Sequence, residues 1–122
     1  MNGIDYFVDT NCFIYFLDEH PLLSPFKDSA WAYSVITKME LLSKKGLTVK
    51  QDLIIRKLLD SCFKIDIFDE VTELAVKLRR KYALKLPDAI IAASAQYIQL
   101  PILTADKALS KIKEIDCLII EI

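Results

Sequence analysis

Apolar and polar positions alternate along this chain in two distinct rhythms. Short blocks with a period of two read as strands over residues 4–8, 63–68, 101–104 and 117–120. In the second of these, Phe63, Ile65 and Ile67 oppose Lys64 and Asp66. Residues 30–35 fit either a brief strand or the start of the following helix.

Longer blocks with helical spacing lie between the strands. Residues 10–18 carry Cys12, Phe13, Ile14, Tyr15, Phe16 and Leu17, with Asp9 or Thr10 placed to cap a buried helix. Pro21 and Pro25 then break the chain. Residues 36–45 are expected to be helical and to stop near Gly46. Residues 48–61 form an amphipathic pattern with Leu53, Ile54, Leu58 and Leu59 expected inward. Val71, Leu74, Ala75, Leu78 and Tyr82 follow one helical stripe, leaving Thr72, Glu73, Lys77, Arg80 and Lys81 outward. Pro87 suits the first turn of a helix over 88–99 that is almost wholly apolar and so belongs at the centre of a fold. A last helix is expected over 106–115. Strands alternating with helices predict an α/β layered fold around a mostly parallel sheet.

Composition narrows the chemistry. The 122 residues fit a single domain, 1–122, and a chain of this size buries about two thirds of its unfolded surface. Gly3 and Gly46 are isolated, which excludes a glycine-rich phosphate loop. His20 is the sole histidine, so a multi-histidine metal site is excluded. Cys12, Cys62 and Cys117 are odd in number and widely spaced, unlike a disulfide framework or zinc ribbon. No apolar run reaches the ~18 residues of a membrane span, and the N-terminus lacks a signal-peptide pattern. A cytoplasmic protein is expected. Net charge is −1 but unevenly spread: residues 1–40 hold six acids against two bases, and residues 76–113 hold eight bases against two acids.

Carboxylates are then the most abundant candidates for chemistry. Asp9 ends the first strand and Asp106 follows the strand at 101–104, where ligands gather in open parallel sheets. Asp88 opens the most apolar helix, and Glu40 lies on the helix after a possible strand. Brought into one cleft, four acids would repel one another and raise their own pKa values. A divalent cation relieves that repulsion, and an all-oxygen donor set favours Mg²⁺ or Mn²⁺. Each acid also has a purely structural reading. Asp9, Asp88 and Asp106 suit helix starts, and Thr37 to Glu40 matches the T-x-x-E capping box.

The sequence resembles the PIN domain family over essentially its whole length. The resemblance rests on Asp9-Thr10-Asn11 after a hydrophobic strand, Glu40 within Ser34-Val35-Ile36-Thr37-Lys38-Met39-Glu40-Leu41-Leu42, Leu86-Pro87-Asp88-Ala89-Ile90-Ile91-Ala92-Ala93, and Leu103-Thr104-Ala105-Asp106-Lys107. It is nearest to the small VapC-type toxins of toxin–antitoxin pairs. It implies a three-layer α/β/α sandwich and metal-dependent cleavage of RNA by an acidic cluster matching Asp9, Glu40, Asp88 and Asp106. Thr10, Asn11 and Thr104 match polar positions around that cluster, although turn and cap chemistry would equally account for them. A homodimer and a cognate antitoxin are implied as partners. One departure is visible: many members carry a further acid and then an aromatic where this chain has Ala108 and Leu109.

RNA approaching an acidic cleft needs cations, for which Arg79, Arg80, Lys81, Lys85 and Lys107 are the candidates. Trp31, Tyr33 and Tyr97 would either stack on bases or pack in the core. The 53% apolar content leaves enough for a subunit interface as well as a core. Two rival readings share the fold class. One is a PIN-like binding module without activity, suggested by Ala108. The other is a Mg-dependent phosphate-transfer domain of the receiver or haloacid-dehalogenase kind, which would normally show paired acids after the first strand, where this chain reads Asp9-Thr10-Asn11.

Overall fold

In the computed structural model, which describes residues 3–122, five strands form one sheet: β1 (Tyr6–Val8), β2 (Trp31–Ser34), β3 (Phe63–Ile65), β4 (Ile102–Thr104) and β5 (Cys117–Ile119). Their order is β3-β2-β1-β4-β5, and all four pairings are parallel. The chain runs outward from β1 through β2 to β3, then returns to the other side of β1 to add β4 and β5. The order switches direction between β1 and β4, and ligands of open parallel sheets bind beyond the carboxyl ends of the strands at such a switch point.

Five α-helices cover the sheet: α1 (Thr10–Leu17), α2 (Val35–Leu42), α3 (Val49–Asp60), α4 (Asp69–Tyr82) and α5 (Leu86–Ile98). Alternation along each strand divides the core in two. Phe7, Ala32, Ile65 and Ile102 face the layer built by α4 and α5, with Val71, Ala75, Leu78, Ala89, Ala92 and Ile98 packed on them. Their neighbours Val8, Trp31, Tyr33 and Leu103 face Cys12 and Phe13 of α1, Leu41 of α2 and Ile55 and Leu59 of α3. The result is the three-layer α/β/α sandwich. The α4 stripe packs as its spacing predicts, and seven residues of α5 are buried between α4 and the sheet.

Residues 30–35 resolve into both alternatives in succession. Trp31–Ser34 is a strand, and Ser34 then caps α2 by accepting from the Ile36 N–H at 3.1 Å. Trp31 and Tyr33 are buried, so they serve the core; Tyr97 is half exposed and meets Phe68 edge-on at 4.8 Å.

Several expectations need correction. In α3 the inward pair is Ile55 and Leu59, spaced i, i+4, while Leu53 and Ile54 are exposed and Leu58 only half-buried. Residues 106–115 do not form a full helix. Residues 107–111 make a 3-10 turn (Lys107–Lys111), with Leu109 and Ile112 both buried. That spacing of three fits a 3-10 turn, in which i and i+3 eclipse. The strand expected over 63–68 ends at Ile65, and α2 ends at Leu42, before Gly46. Among the described residues no helix is long and apolar enough to cross a membrane.

Candidate active site

The chemistry at the switch point starts from Asp9. It follows β1 directly, is only 7% exposed and caps α1: Oδ1 accepts from the Thr10 N–H at 2.8 Å. Oδ2 accepts from the Thr104 hydroxyl at 2.8 Å and, more weakly, from Asn11 Nδ2 at 3.4 Å. Thr104 ends β4 and is fully buried, and its Oγ1 also accepts from the Asp106 N–H at 3.0 Å. Asn11 Oδ1 accepts from the Ala105 N–H at 3.1 Å. Thr104 and Asn11 therefore join the start of α1 to the end of β4 and hold Asp9 between them.

Asp88 sits in the first turn of α5, beside the Pro87 that opens it. Burial raises the pKa of Asp9, against the pull of the Thr104 and Thr10 hydrogen bonds, and the charges of Asp88 and Asp106 push it further up. Burial also raises Asp88, helped by Asp106 and opposed by Lys85. These three carboxylates thus feel one another as charges, although they come from the ends of β1 and β4 and the start of α5. Cys12, under Asp9, is pushed up to about 12 by burial and by Asp9, so it stays a thiol.

Glu40 stands at the rim, exposed, and reaches the cluster through Thr10, whose hydroxyl donates to Glu40 Oε1 at 2.8 Å. Thr37 does not form a capping box with Glu40. Ser34 is the cap of that helix, and the Thr37 hydroxyl is fully buried against Thr10 Oγ1 at 2.8 Å. Sequence spacing gave no sign of this contact, because its partner lies 27 residues away.

Asp106 caps the turn after β4, accepting from the Ala108 N–H at 2.9 Å; Thr104 supports it rather than capping the turn itself. Ala108 thus offers Asp106 a backbone N–H.

The basic candidates divide. Lys85 adjoins Asp88 closely enough to lower its pKa, and Lys107 follows Asp106 and pairs loosely with Glu121 at 3.8 Å. Lys81 is tied to Glu114 at 3.2 Å. Arg79 donates to the Leu84 carbonyl at 3.1 Å and, with Arg80, lines a groove between α4 and the start of α5 with Ile67, Val76 and Leu86. On the other side of Glu40, the groove between α1, α2 and α3 is lined by Ile14, Leu17, Leu41, Leu47 and Ile54.

Among the described residues no three His, Cys, Asp or Glu side chains stand within reach of a single ion. Asp9, Glu40 and Asp106 each satisfy a donor of the chain instead. The chemistry of the candidate donors nonetheless fits a hard divalent cation: all are carboxylate oxygens, and their mutual repulsion is what such an ion offsets.

Solved structures share this fold. A toxin–antitoxin complex from Klebsiella pneumoniae is 30% identical, with a TM-score of 0.80 over 91% of this chain and 95% of that one. VapBC2 from Rickettsia felis, bound to a DNA fragment from its promoter, is 20% identical, with a TM-score of 0.81 over 97% of this chain and 100% of that one. VapBC-5 from Mycobacterium tuberculosis is 23% identical, with a TM-score of 0.70 over 95% of this chain and 98% of that one. No curated protein sequence matches the chain. The PIN domain family model spans residues 6–120, from the first residue of β1 to just past β5, and so takes in Asp9, Glu40, Asp88 and Asp106 together: the chain belongs to the PIN domain family.

Proposed function

We propose that this single PIN domain is a metal-dependent endoribonuclease that hydrolyses RNA phosphodiester bonds, acting as the toxin of a toxin–antitoxin pair. The observation that carries the reading is the placing of Asp9 and Asp106 at the adjacent ends of β1 and β4, tied through Thr104, which donates to Asp9 and accepts from the Asp106 N–H, with Asp88 near enough for its charge to act on Asp9. Asp9, Asp88 and Asp106 would hold Mg²⁺ or Mn²⁺, with Glu40 ligating from the rim or accepting a proton from water. When bound, the ion supplies Lewis acidity and charge neutralisation at the scissile phosphate. The chain supplies the rest. Thr104 and the Thr10 N–H fix Asp9, and Asn11 fixes the β4 end beside it. Lys85 and Lys107, exposed next to the acids, draw the RNA backbone in, and Arg79 and Arg80 extend the path along their groove. Lys81, paired with Glu114, contributes least. No side chain is needed as a nucleophile, in keeping with a chain whose one histidine, His20, caps the turn at Pro21–Phe26.

The expected result is RNA cleavage with Mg²⁺ or Mn²⁺ that stops on adding a chelator and returns when the metal is restored. Cleavage indifferent to chelator would overturn the metal assignment. A second reading, a PIN domain that binds RNA or protein without cutting, is favoured by one observation: the acids satisfy internal donors and no three share an ion's reach among the described residues. It predicts RNA binding without cleavage in the same assay.

The partners are an antitoxin and a second copy of the chain. Ile14 and Ile54, exposed in the groove beside Glu40, support a protein-covered surface there. Sedimentation at micromolar concentration is expected to show a dimer; a monomer throughout would remove the homodimer. The fold and partners suit a cytoplasmic toxin.

A further inference from the structure

Thr37 is wholly buried on α2, behind the site rather than in it. A buried hydroxyl needs a partner. Among the described residues its side chain has one, Thr10 Oγ1 at 2.8 Å. Thr10 Oγ1 carries a single proton, and Glu40 Oε1 lies 2.8 Å from it. An ionised carboxylate only accepts, so the Thr10 proton goes to Glu40. The proton between the two threonines therefore belongs to Thr37. The order of donation runs one way, from Thr37 in the core to Thr10 and on to Glu40 at the rim, and bonds in such a chain strengthen one another.

We infer that Thr37 is a positioning residue. By donating to Thr10 it commits the Thr10 proton to Glu40 and so holds an exposed carboxylate at the residue that follows Asp9. Without that bond Thr10 is free to rotate, and Glu40 regains the rotamer freedom of a surface side chain. The inference rests on the nuclease reading above, in which Glu40 works with Asp9, Asp88 and Asp106.

The test measures Mn²⁺ binding, from the electron paramagnetic resonance of the free ion, together with RNA cleavage. It uses the full chain as wild type, Thr37→Val, Thr37→Ser, Glu40→Ala and the double variant Thr37→Val/Glu40→Ala. Thr37→Val is nearly isosteric and lacks the donor; it is expected to weaken Mn²⁺ binding about tenfold, the usual effect of losing a group that orients a ligand, and to lower cleavage in step. Thr37→Ser keeps the hydroxyl and is expected to behave as wild type. In the Glu40→Ala background Thr37→Val is expected to add nothing, because the two act through one path. Thr37→Ala takes the place of Thr37→Val in the same cycle if the valine variant does not fold.

Three results in the variants would overturn the inference. They are an unchanged Mn²⁺ affinity in Thr37→Val, an equal loss in Thr37→Ser, or the same loss with and without Glu40, which marks a purely structural threonine. Wild type that neither binds Mn²⁺ nor cleaves RNA would overturn the nuclease reading and this inference together. Wild type that does both, with an additive cycle, would overturn only this one.

Discussion

Replacing Asp9 with asparagine is expected to lower RNA cleavage by about 10³-fold, because a lost ligand charge removes several kcal/mol of metal-borne stabilisation and each ~1.4 kcal/mol is tenfold in rate. The same change leaves the fold nearly as stable. Oδ1 still accepts from the Thr10 N–H, but the new amide group faces the Thr104 hydroxyl and Asn11 Nδ2, both of which donated to Oδ2. Two donors lose their acceptor, the one from Asn11 already long at 3.4 Å, at a cost of about 1–2 kcal/mol for the shorter bond, and relief from burying a charge offsets part of it. Asp9→Asn thus separates activity from folding. Cleavage persisting at wild-type rate in a folded variant would remove Asp9 from the site.

Acidity sharpens that separation. Asp9 has its pKa raised above the ordinary 3.8 by burial and by Asp88 and Asp106, so over the interval between the two values the folded protein keeps a proton that the unfolded chain has released. Stability contributed by that proton is fully present below the ordinary value and is lost as pH rises through the raised one. Asp88 acts in the same direction. Urea denaturation from pH 4 to 7 without divalent ions is expected to show wild type losing stability relative to Asp9→Asn as pH increases. Mn²⁺ is expected to restore wild type more than the variant, since a ligand of the folded state stabilises it by mass action. A gap that moves the other way with pH would contradict a carboxyl group held above its ordinary range.

The sequence was most legible where one residue's neighbours decide its structure. The α4 stripe and the apolar α5 could be read from spacing because both faces of the sheet demand apolar cover, and Asp9 could be read as a cap from its place before Thr10. The phase of α3 could not. Leu53 and Ile54 are as apolar as Ile55 and Leu59, and only the packing of α3 on α2 and β3 selects the inner pair. Distance in sequence set the other limit. Thr104 and Asp9 are 95 residues apart and Thr37 and Thr10 are 27 apart, so the hydrogen bonds that hold the acids have no local signature. Thr37 even carried a misleading one, since T-x-x-E is what a capping box looks like before Ser34 is known to take that role. Asp9, Asp88 and Asp106 stood out as candidates because strand ends and helix starts are positions a parallel sheet brings to one edge, and Glu40 because it lies on the helix after β2; how far apart their oxygens stand could not be read.

The largest loss of stability is expected at Phe13. Its ring is fully buried and meets Trp31 edge-on at 5.3 Å and Tyr33 at 5.9 Å, so α1 is seated on β2 through aromatic contacts. Phe13→Ala removes the ring from a site that rigid neighbours cannot refill, and such changes cost about 3–5 kcal/mol. Domains of this size hold only about 5–15 kcal/mol in total, so the variant is expected to show a sharply lower urea midpoint with an unchanged slope. Phe63, half exposed on the edge strand β3, is the control, since its replacement by alanine opens no enclosed cavity. The consequence for the site is specific. Asp9 is the cap of the same helix that Phe13 anchors one turn further on, and Thr10 and Asn11 reach Glu40 and β4 from its first turn. At a temperature where Phe13→Ala remains folded, weakened metal-dependent cleavage would mean that the aromatic core sets the position of the acids. Full cleavage per folded molecule would mean that the Thr104 and Asn11 bonds to β4 hold α1 in place by themselves.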